Sequence, residues 1–497
     1  MQADVLIIGS GMGGATLAAA LAPTGARIVI LERGERLQAS PKTRDPFSVF
    51  KFGTFRSGET WDTPDGKAFD PGNYYMVGGN SKFYGAVMFR YREADFAEIA
   101  HLDGTSPAWP VAYDVFAPWY DAAEEMYAVR GARGLEPTDP DGPAYPHAPV
   151  PHEPAIADAA RRLAAQGLTP ASLPLAVDLQ AWLEGGETGW DGYPDTGTGK
   201  KDAESVGIAR ALTYDNVTLE TGCQVTRLET DSSGRIAQVS FTRHGAAQTA
   251  TAKIVVLSAG AVNSAALLLK SANDNFPTGL ANRSDQVGRN FMNHNCTAMM
   301  ALHPFRKVST IYQKTLYLND FYLSGGEDDT PLGNVQLLGK ITPEILRCVS
   351  ATPAFAAGWI ANRSLDWYLM SEDLPLSESR VTVRGDRIVL DWQRTNWSAH
   401  KTLIRRFRSV LKAAGYPIVL HQSFDRSTPS HQCGTVRFGA DPDRAPLDLN
   451  CRAHQHANLF VVDASFLPTS AAVNPALTIA ANALRVADYI ARTELAA

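Results

Sequence analysis

Val5-Leu6-Ile7-Ile8 is an apolar run with no polar break. It predicts a strand buried on both faces of a parallel sheet. The run leads straight into Gly9-Ser10-Gly11-Met12-Gly13-Gly14. Ala15 to Ala22 then reads as an Ala/Leu helix, stopped by Pro23, Thr24 and Gly25. Arg27 to Leu31 is a second apolar strand ending at Glu32, so about 30 residues hold a complete strand–turn–helix–strand unit. Thr218 to Thr230 and Ile236 to Thr242 predict strands joined by the turn cluster at 231–234. Ile254 to Leu257, the turn Ser258-Ala259-Gly260 and an Ala/Leu helix to Lys270 form a second strand–turn–helix. Ser398 to Ala414 predicts a helix with Ser398 as its N-cap. Leu459 to Val462 is a further buried strand ending at Asp463, and a helix runs from Pro475 to about Ala491.

Between these units the pattern weakens. Residues 34–80 are irregular, and the seven prolines of 133–155 predict a surface loop. Residues 300–430 alternate short strands with loops. No repeat of fixed period occurs. The units suited to a nucleotide therefore fall at three separated places, which predicts an interleaved two-domain chain rather than domains in series.

Composition narrows the function classes. The chain has 497 residues, 20% of them charged, which excludes wholesale disorder. Its net charge of −6, with no basic block, argues against nucleic acid and anionic membrane as partners. No 18-residue apolar stretch predicts a spanning helix. Five widely spaced cysteines, none in a CxxC, support neither a disulfide framework nor a thiolate metal site. Together with the early first strand, which leaves no room for a secretory signal, they predict a reducing, cytoplasmic setting.

Gly9-x-Gly11-x-x-Gly14 would be weak alone, but it follows a strand, opens a helix and precedes an acid at the end of the next strand. The first glycine permits the tight turn, the second lets backbone approach a pyrophosphate, and the third permits close helix–strand packing. The helix N-terminus then presents unpaired N–H groups to the phosphates. Glu32 can accept from an adenosine ribose and would repel a 2′-phosphate, which disfavours NADP. The motif does not separate FAD from NAD. Near the C-terminus lie His431-Gln-Cys-Gly434-Thr435, the strand ending at Asp463-Ala464, and Asn474-Pro475-Ala-Leu477-Thr478-Ile479. Asn474 suits a helix N-cap, with Pro475 in the first turn. A helix N-terminus aimed at a flavin would also stabilise its reduced, anionic form.

Five segments in this order resemble the glucose-methanol-choline (GMC) oxidoreductases: the N-terminal fingerprint, Gly78-Gly79-Asn80-Ser81-Lys-Phe-Tyr84-Gly85-Ala86, Ser258 to Ser264, the His431 motif and the Asn474 motif. The resemblance spans nearly the whole chain. It implies an α/β fold, with a Rossmann-like FAD-binding domain (1–95, 205–300 and 430–497) interleaved with a mixed-sheet substrate domain (96–204 and 301–429). His431 resembles the catalytic base and Asn474 its partner. The resemblance places Gly9, Gly11, Met12, Gly13, Gly14, Glu32 and Arg33 at the cofactor, and Gly78, Gly79, Asn80, Ser81, Tyr84, Gly85 and Ala86 as the loop near its pyrophosphate and ring. Val225 resembles the residue whose backbone holds the adenine, and Asp463 and Ala464 the segment at the pyrophosphate and ribityl chain. Ser258, Ala259, Gly260, Leu477 and Thr478 complete the expected cofactor set. No histidine precedes position 101, so the covalent attachment used by some relatives through a histidine near the Gly-Gly loop is not expected. The FAD is read as noncovalent.

The implied reaction is oxidation of a hydroxyl to a carbonyl. Neutral His431 accepts the proton, Asn474 bonds the same hydroxyl, and hydride passes to flavin N5. Six Trp between 182 and 397 suit pyranose faces, although core packing explains them equally well. With mixed polar residues at 300–430, they favour a sugar or glycoside over a sterol. Oxidation of a non-sugar alcohol and an FAD-containing lyase are the alternatives. A reductase with a second nucleotide site is disfavoured because Ser258-Ala-Gly260 is not a full fingerprint. The expected partners are a small-molecule alcohol or sugar and oxygen or another acceptor. The resemblance leaves room for an electron-transfer subunit and for export with a signal-bearing partner.

Overall fold

The computed structural model describes residues 1–184, 191–197, 199–310 and 312–496. The first sheet is built on the N-terminal strand Gln2–Ile8. Ile28–Leu31 pairs parallel on one side of it and Val217–Glu220 lies beyond; Ala246–Leu257 pairs parallel on the other side, with Leu459–Val461 beyond. In chain order the five strands run 3-2-1-4-5, the order of a doubly wound dinucleotide-binding half. Ala246–Leu257 is long enough for two sets of partners. Its first half pairs antiparallel with Ile236–Arg243, which pairs with Cys223–Thr230. Helix Met12–Leu21 packs on this sheet with the C-terminal helix Ala476–Thr493.

A second sheet has six strands in the order Ile418–Ser423, Asn295–Leu302, Ser364–Ser371, Asn334–Leu337, Leu316–Leu318, Ala171–Ser172. Every pairing in it is antiparallel. A small four-stranded sheet of Arg380–Arg384, Arg387–Asp391, Trp61–Asp62 and Ala68–Phe69 has mixed pairing. Alternation along the six strands assigns the two faces. Met299, Val335, Leu337 and Trp367 face a core shared with Leu403, Phe407 and Leu411 of helix Trp397–Ala413. Trp367 meets Phe407 edge-on at 5.0 Å between centroids. The intervening residues, among them Ala298, Met300 and Tyr368, line the site described below.

Local expectations shift in several places. The strand expected over 218–230 is broken at Thr221-Gly222, where Gly222 takes φ +66°. The helix near 398 begins at Trp397, with Asn396 in the left-handed region and no side-chain cap, so Ser398 is inside it. Asn295–Leu302 pairs in the second sheet, across the boundary expected at 300. The proline-rich stretch has no regular secondary structure between 133 and 153, yet it buries Glu136 at 5% exposure. All five cysteines are free. No helix among the described residues is long and apolar enough to cross a membrane.

Candidate active site

The glycine fingerprint is a set of close approaches. Gly9 takes φ +100°, and a Cβ there would sit 2.3 Å from the Ser258 carbonyl oxygen. On Gly13 a Cβ would lie 2.2 Å from the Val462 oxygen, and on Gly14 2.1 Å from the Gly9 oxygen. These two glycines let the helix sit against three strand ends. Gly11 differs: nothing lies within 4 Å of its Cβ position, and the same holds for Gly260. Both border a cavity of about 1180 Å³, whose walls run from Glu32 and Val225 past the fingerprint to His431 and Asn474. That exceeds the volume of an ordinary small-molecule pocket.

The cavity's first end is organised by carboxylates. Buried Glu32 accepts from Ser10 N (3.0 Å), Ser10 Oγ (2.6 Å) and Gly34 N (2.9 Å). Burial raises its pKa against those bonds. Ser10 Oγ also accepts from Gly78 N at 3.1 Å, tying the fingerprint to the Gly78 loop. Asp463 accepts from Gly260 N (3.0 Å), Ser264 Oγ and Ser465 N (2.9 Å), and so shapes the second turn. Burial raises its pKa as well. The buried Ser258 Oγ has no partner among the described residues. An open cradle of glycine backbone with an unpaired hydroxyl beside it fits a dinucleotide pyrophosphate.

At the other end, residues 292–294 pair with 430–433 as a short antiparallel ribbon. Gly434 follows because a Cβ there would lie 2.4 Å from the Asn290 oxygen. His431 takes φ +68°, a conformation uncommon outside glycine that clusters at functional sites. Its Nδ1 lies 2.8 Å from His294 Nδ1, and His294 Nε2 lies 2.8 Å from the Ser470 carbonyl oxygen. A carbonyl only accepts, so His294 carries its proton on Nε2 and offers a lone pair at Nδ1. His431 must donate from Nδ1, which leaves Nε2 as its acceptor. Asn474 Nδ2 faces that lone pair at 3.4 Å, while Asn474 Oδ1 accepts from Gln336 Nε2 at 2.9 Å. Burial, then His294 and Lys314, hold the His431 pKa well below its ordinary value, so the imidazole is neutral.

Most of the expected residues come together on this one cavity. Four do not: Gly14, Ala86, Leu477 and Thr478 are off its wall. Gly14 packs helix on strand. Ala86 is buried with its carbonyl bonded to Ala176 N. Leu477 is fully buried, and Thr478 Oγ1 bonds Tyr120 at 2.9 Å. Asn474 does not cap its helix, which starts after Pro475; its side chain turns to His431 and Gln336 instead. Sequence reasoning missed Ser10, a variable position of the fingerprint, and also His294, Gln336 and the Lys314–Asp191 pair (2.7 Å), which sit in no motif. Trp359, Trp367, Trp392 and Trp397 do not line the cavity. Trp190 and the side chain of Trp182 lie outside the described residues.

One cavity thus joins a dinucleotide cradle to a buried, neutral histidine. The family description FAD dependent oxidoreductase matches residues 4–284, and GMC oxidoreductase matches residues 375–483. The chain belongs to the FAD-dependent oxidoreductases, with a C-terminal part that matches the GMC oxidoreductases, and its cofactor is FAD. It is 29% identical to the 6'''-hydroxyparomomycin C oxidase of Streptomyces lividus, over 98% of this chain and 91% of that one. It is 28% identical to the paromamine 6'-oxidase of Streptomyces fradiae with the same coverage. Its fold is similar to that of the pyridoxine 4-oxidase from Mesorbium loti, with a TM-score of 0.67, 19% identity and coverage of 98% and 99% of the two chains.

Proposed function

We propose that this enzyme oxidises a hydroxyl group on a sugar or glycoside to a carbonyl, with His431 as base and Asn474 as its partner. One observation carries the chemistry. The Nε2 acceptor of His431 and the Asn474 N–H meet at the cavity wall 3.4 Å apart. An alcohol oxygen set between them donates its proton to Nε2 and accepts from Asn474, which holds the hydroxyl in one orientation. FAD, held noncovalently, supplies the two-electron acceptor for the carbinol hydride. Gly11, Ser258 and Gly260 would hold its pyrophosphate. Glu32, Arg33 and Val225 lie at the adenosine end, and Gly78 to Gly85, Asp463 and Ala464 lie along the rest. Because burial keeps His431 neutral, the base is ready to accept at working pH.

The substrate class rests on the named relatives and on the polar groups His421, Gln422, Lys314 and Asp191 along the cavity. A second reading, a non-sugar alcohol, is favoured by the apolar wall of Met300, Leu338, Ile341, Leu346 and Ile360. We read residues 1–95, 205–294 and 430–497 as the FAD-binding portion and the remainder as substrate-binding. The five free cysteines suit a reducing, cytoplasmic setting.

The test is an anaerobic panel of sugars, glycosides and simple alcohols, read by bleaching of the flavin absorbance. One class should bleach it. His431→Ala should retain the flavin spectrum and bleach about 100-fold more slowly or worse. Parental bleaching by His431→Ala would refute the assignment of the base, and a flavin that no alcohol bleaches would refute the oxidation. Readmitting air separates an oxidase from a dehydrogenase by the speed of recolouring.

A further inference from the structure

We propose that Gln336, Asn334, Asn319 and Glu136 form a buried amide relay that fixes which end of the Asn474 side chain faces His431. They are positioning residues, and the inference rests on His431 being the base.

The relay runs as one line of hydrogen bonds. Asn319 Nδ2 donates to Glu136 Oε1 at 3.0 Å, and Asn334 Nδ2 donates to Asn319 Oδ1 at 2.7 Å. Gln336 Nε2 donates to Asn334 Oδ1 at 3.1 Å and to Asn474 Oδ1 at 2.9 Å. All four relay residues are at most 5% exposed. Alternation supplies the middle of the line: Asn334 and Gln336 share one face of their strand, while Val335 and Leu337 pack in the core behind.

The direction of the line is forced from its far end. An ionised carboxylate accepts and cannot donate. Arg92 Nη2 at 3.1 Å and the Tyr317 hydroxyl at 3.4 Å hold Glu136 in that role. Asn319 must therefore turn its NH2 toward Glu136 and Asn334 its NH2 toward Asn319; the single Gln336 NH2 then lies between two oxygens and donates to both Asn334 and Asn474, while Gln336 Oε1 has no partner among the described residues. Asn474 is left with Oδ1 toward Gln336 and NH2 toward His431. An independent line from the Ser470 carbonyl through His294 leaves His431 with its lone pair on Nε2. Two chains anchored on different acceptors thus meet as donor against acceptor, at the point where a substrate hydroxyl must bond both.

A donor facing Nε2 favours the neutral imidazole. Losing it raises the His431 pKa, so the pH at which flavin reduction is half-maximal moves up. The other charged groups around this base stay in place: His294 and, beyond it, Glu372 on one side, and Lys314 with Asp191 on the other. Arg92, Tyr317 and Asp139 surround the far end at Glu136.

The experiment is a double-mutant cycle on the FAD-loaded enzyme, using the alcohol that bleaches it and following the rate and pH profile of flavin reduction. Gln336→Met keeps the volume and removes the donor. Asn334→Leu cuts the line one link earlier, in case the first variant does not fold. Either should slow maximal flavin reduction about tenfold, raise the half-maximal pH, and change substrate affinity much less. In an Asn474→Ala background neither should add a further effect. Equal effects in the parent and the Asn474→Ala background would show ordinary structural damage and overturn the relay. So would a parental pH profile in Gln336→Met. If His431→Ala keeps the parental rate, the base assignment falls and the relay with it. If only the cycle fails, the base stands.

Discussion

Two neighbouring glycines should fail in different ways. Gly13→Ala puts a Cβ 2.2 Å from the Val462 oxygen, 2.9 Å from its carbon and 3.0 Å from Ser258 Oγ. Ordinary contact begins near 3.4 Å. The first of these contacts is with backbone, which no rotamer change relieves, so the helix must back away by roughly 1 Å. Overpacking of this kind costs about 3 kcal/mol, enough to lower the melting temperature by roughly 3 °C. Gly11→Ala meets nothing within 4 Å, and its φ of −69° suits any residue. The apo-protein should therefore melt as the parent does. The new methyl occupies the space reserved for the pyrophosphate, and a clash of about 3 kcal/mol weakens FAD binding about 100-fold. Thermal melts of the stripped protein and FAD titration by quenching of flavin fluorescence measure the two effects separately. Parental FAD affinity in Gly11→Ala would refute the placement of the cofactor. Equal melting losses in the two apo-variants would refute the division between packing and binding glycines.

Other outcomes follow from buried carboxylates. Glu32→Gln keeps the shape but sets an NH2 against one of the Ser10 or Gly34 donors, costing about 1–3 kcal/mol; lower melting together with weaker FAD binding is expected, and an unchanged melt would refute the bonding described. Asp95 is fully buried and its pKa is pushed up to about 7, by burial first and Glu372 second. The folded state holds its proton more tightly than the unfolded chain does. The stabilisation is therefore complete below about pH 4 and is lost as the pH rises to about 7, worth up to roughly 4 kcal/mol. Asp95→Asn should flatten the dependence of denaturant stability on pH in that window, and a slope equal to the parent's would refute the assignment.

Much of the cofactor half was legible in the residue order, because its signals are local. A strand, a glycine turn and a helix occupy consecutive positions, and an apolar run or a glycine needs no distant partner to be read. The same holds for the two C-terminal motifs, which marked His431 and Asn474 as chemistry. Local logic also misled. Asn474 before Pro475 looked like a cap, and Leu477 and Thr478 looked like cofactor contacts, yet the helix turns both toward its packed side.

The sequence by itself determined a dinucleotide fingerprint, a histidine with an asparagine partner, and membership in a flavin-dependent family. Only the tertiary structure decided the protonation state and aim of that pair. His294 meets His431 across 137 residues of chain, and Gln336 meets Asn474 across 138. A hydrogen bond at such separation leaves no periodicity or spacing in the sequence. It exists because the antiparallel sheet, the 292–294 ribbon and the C-terminal helix are packed to within 3 Å of one another.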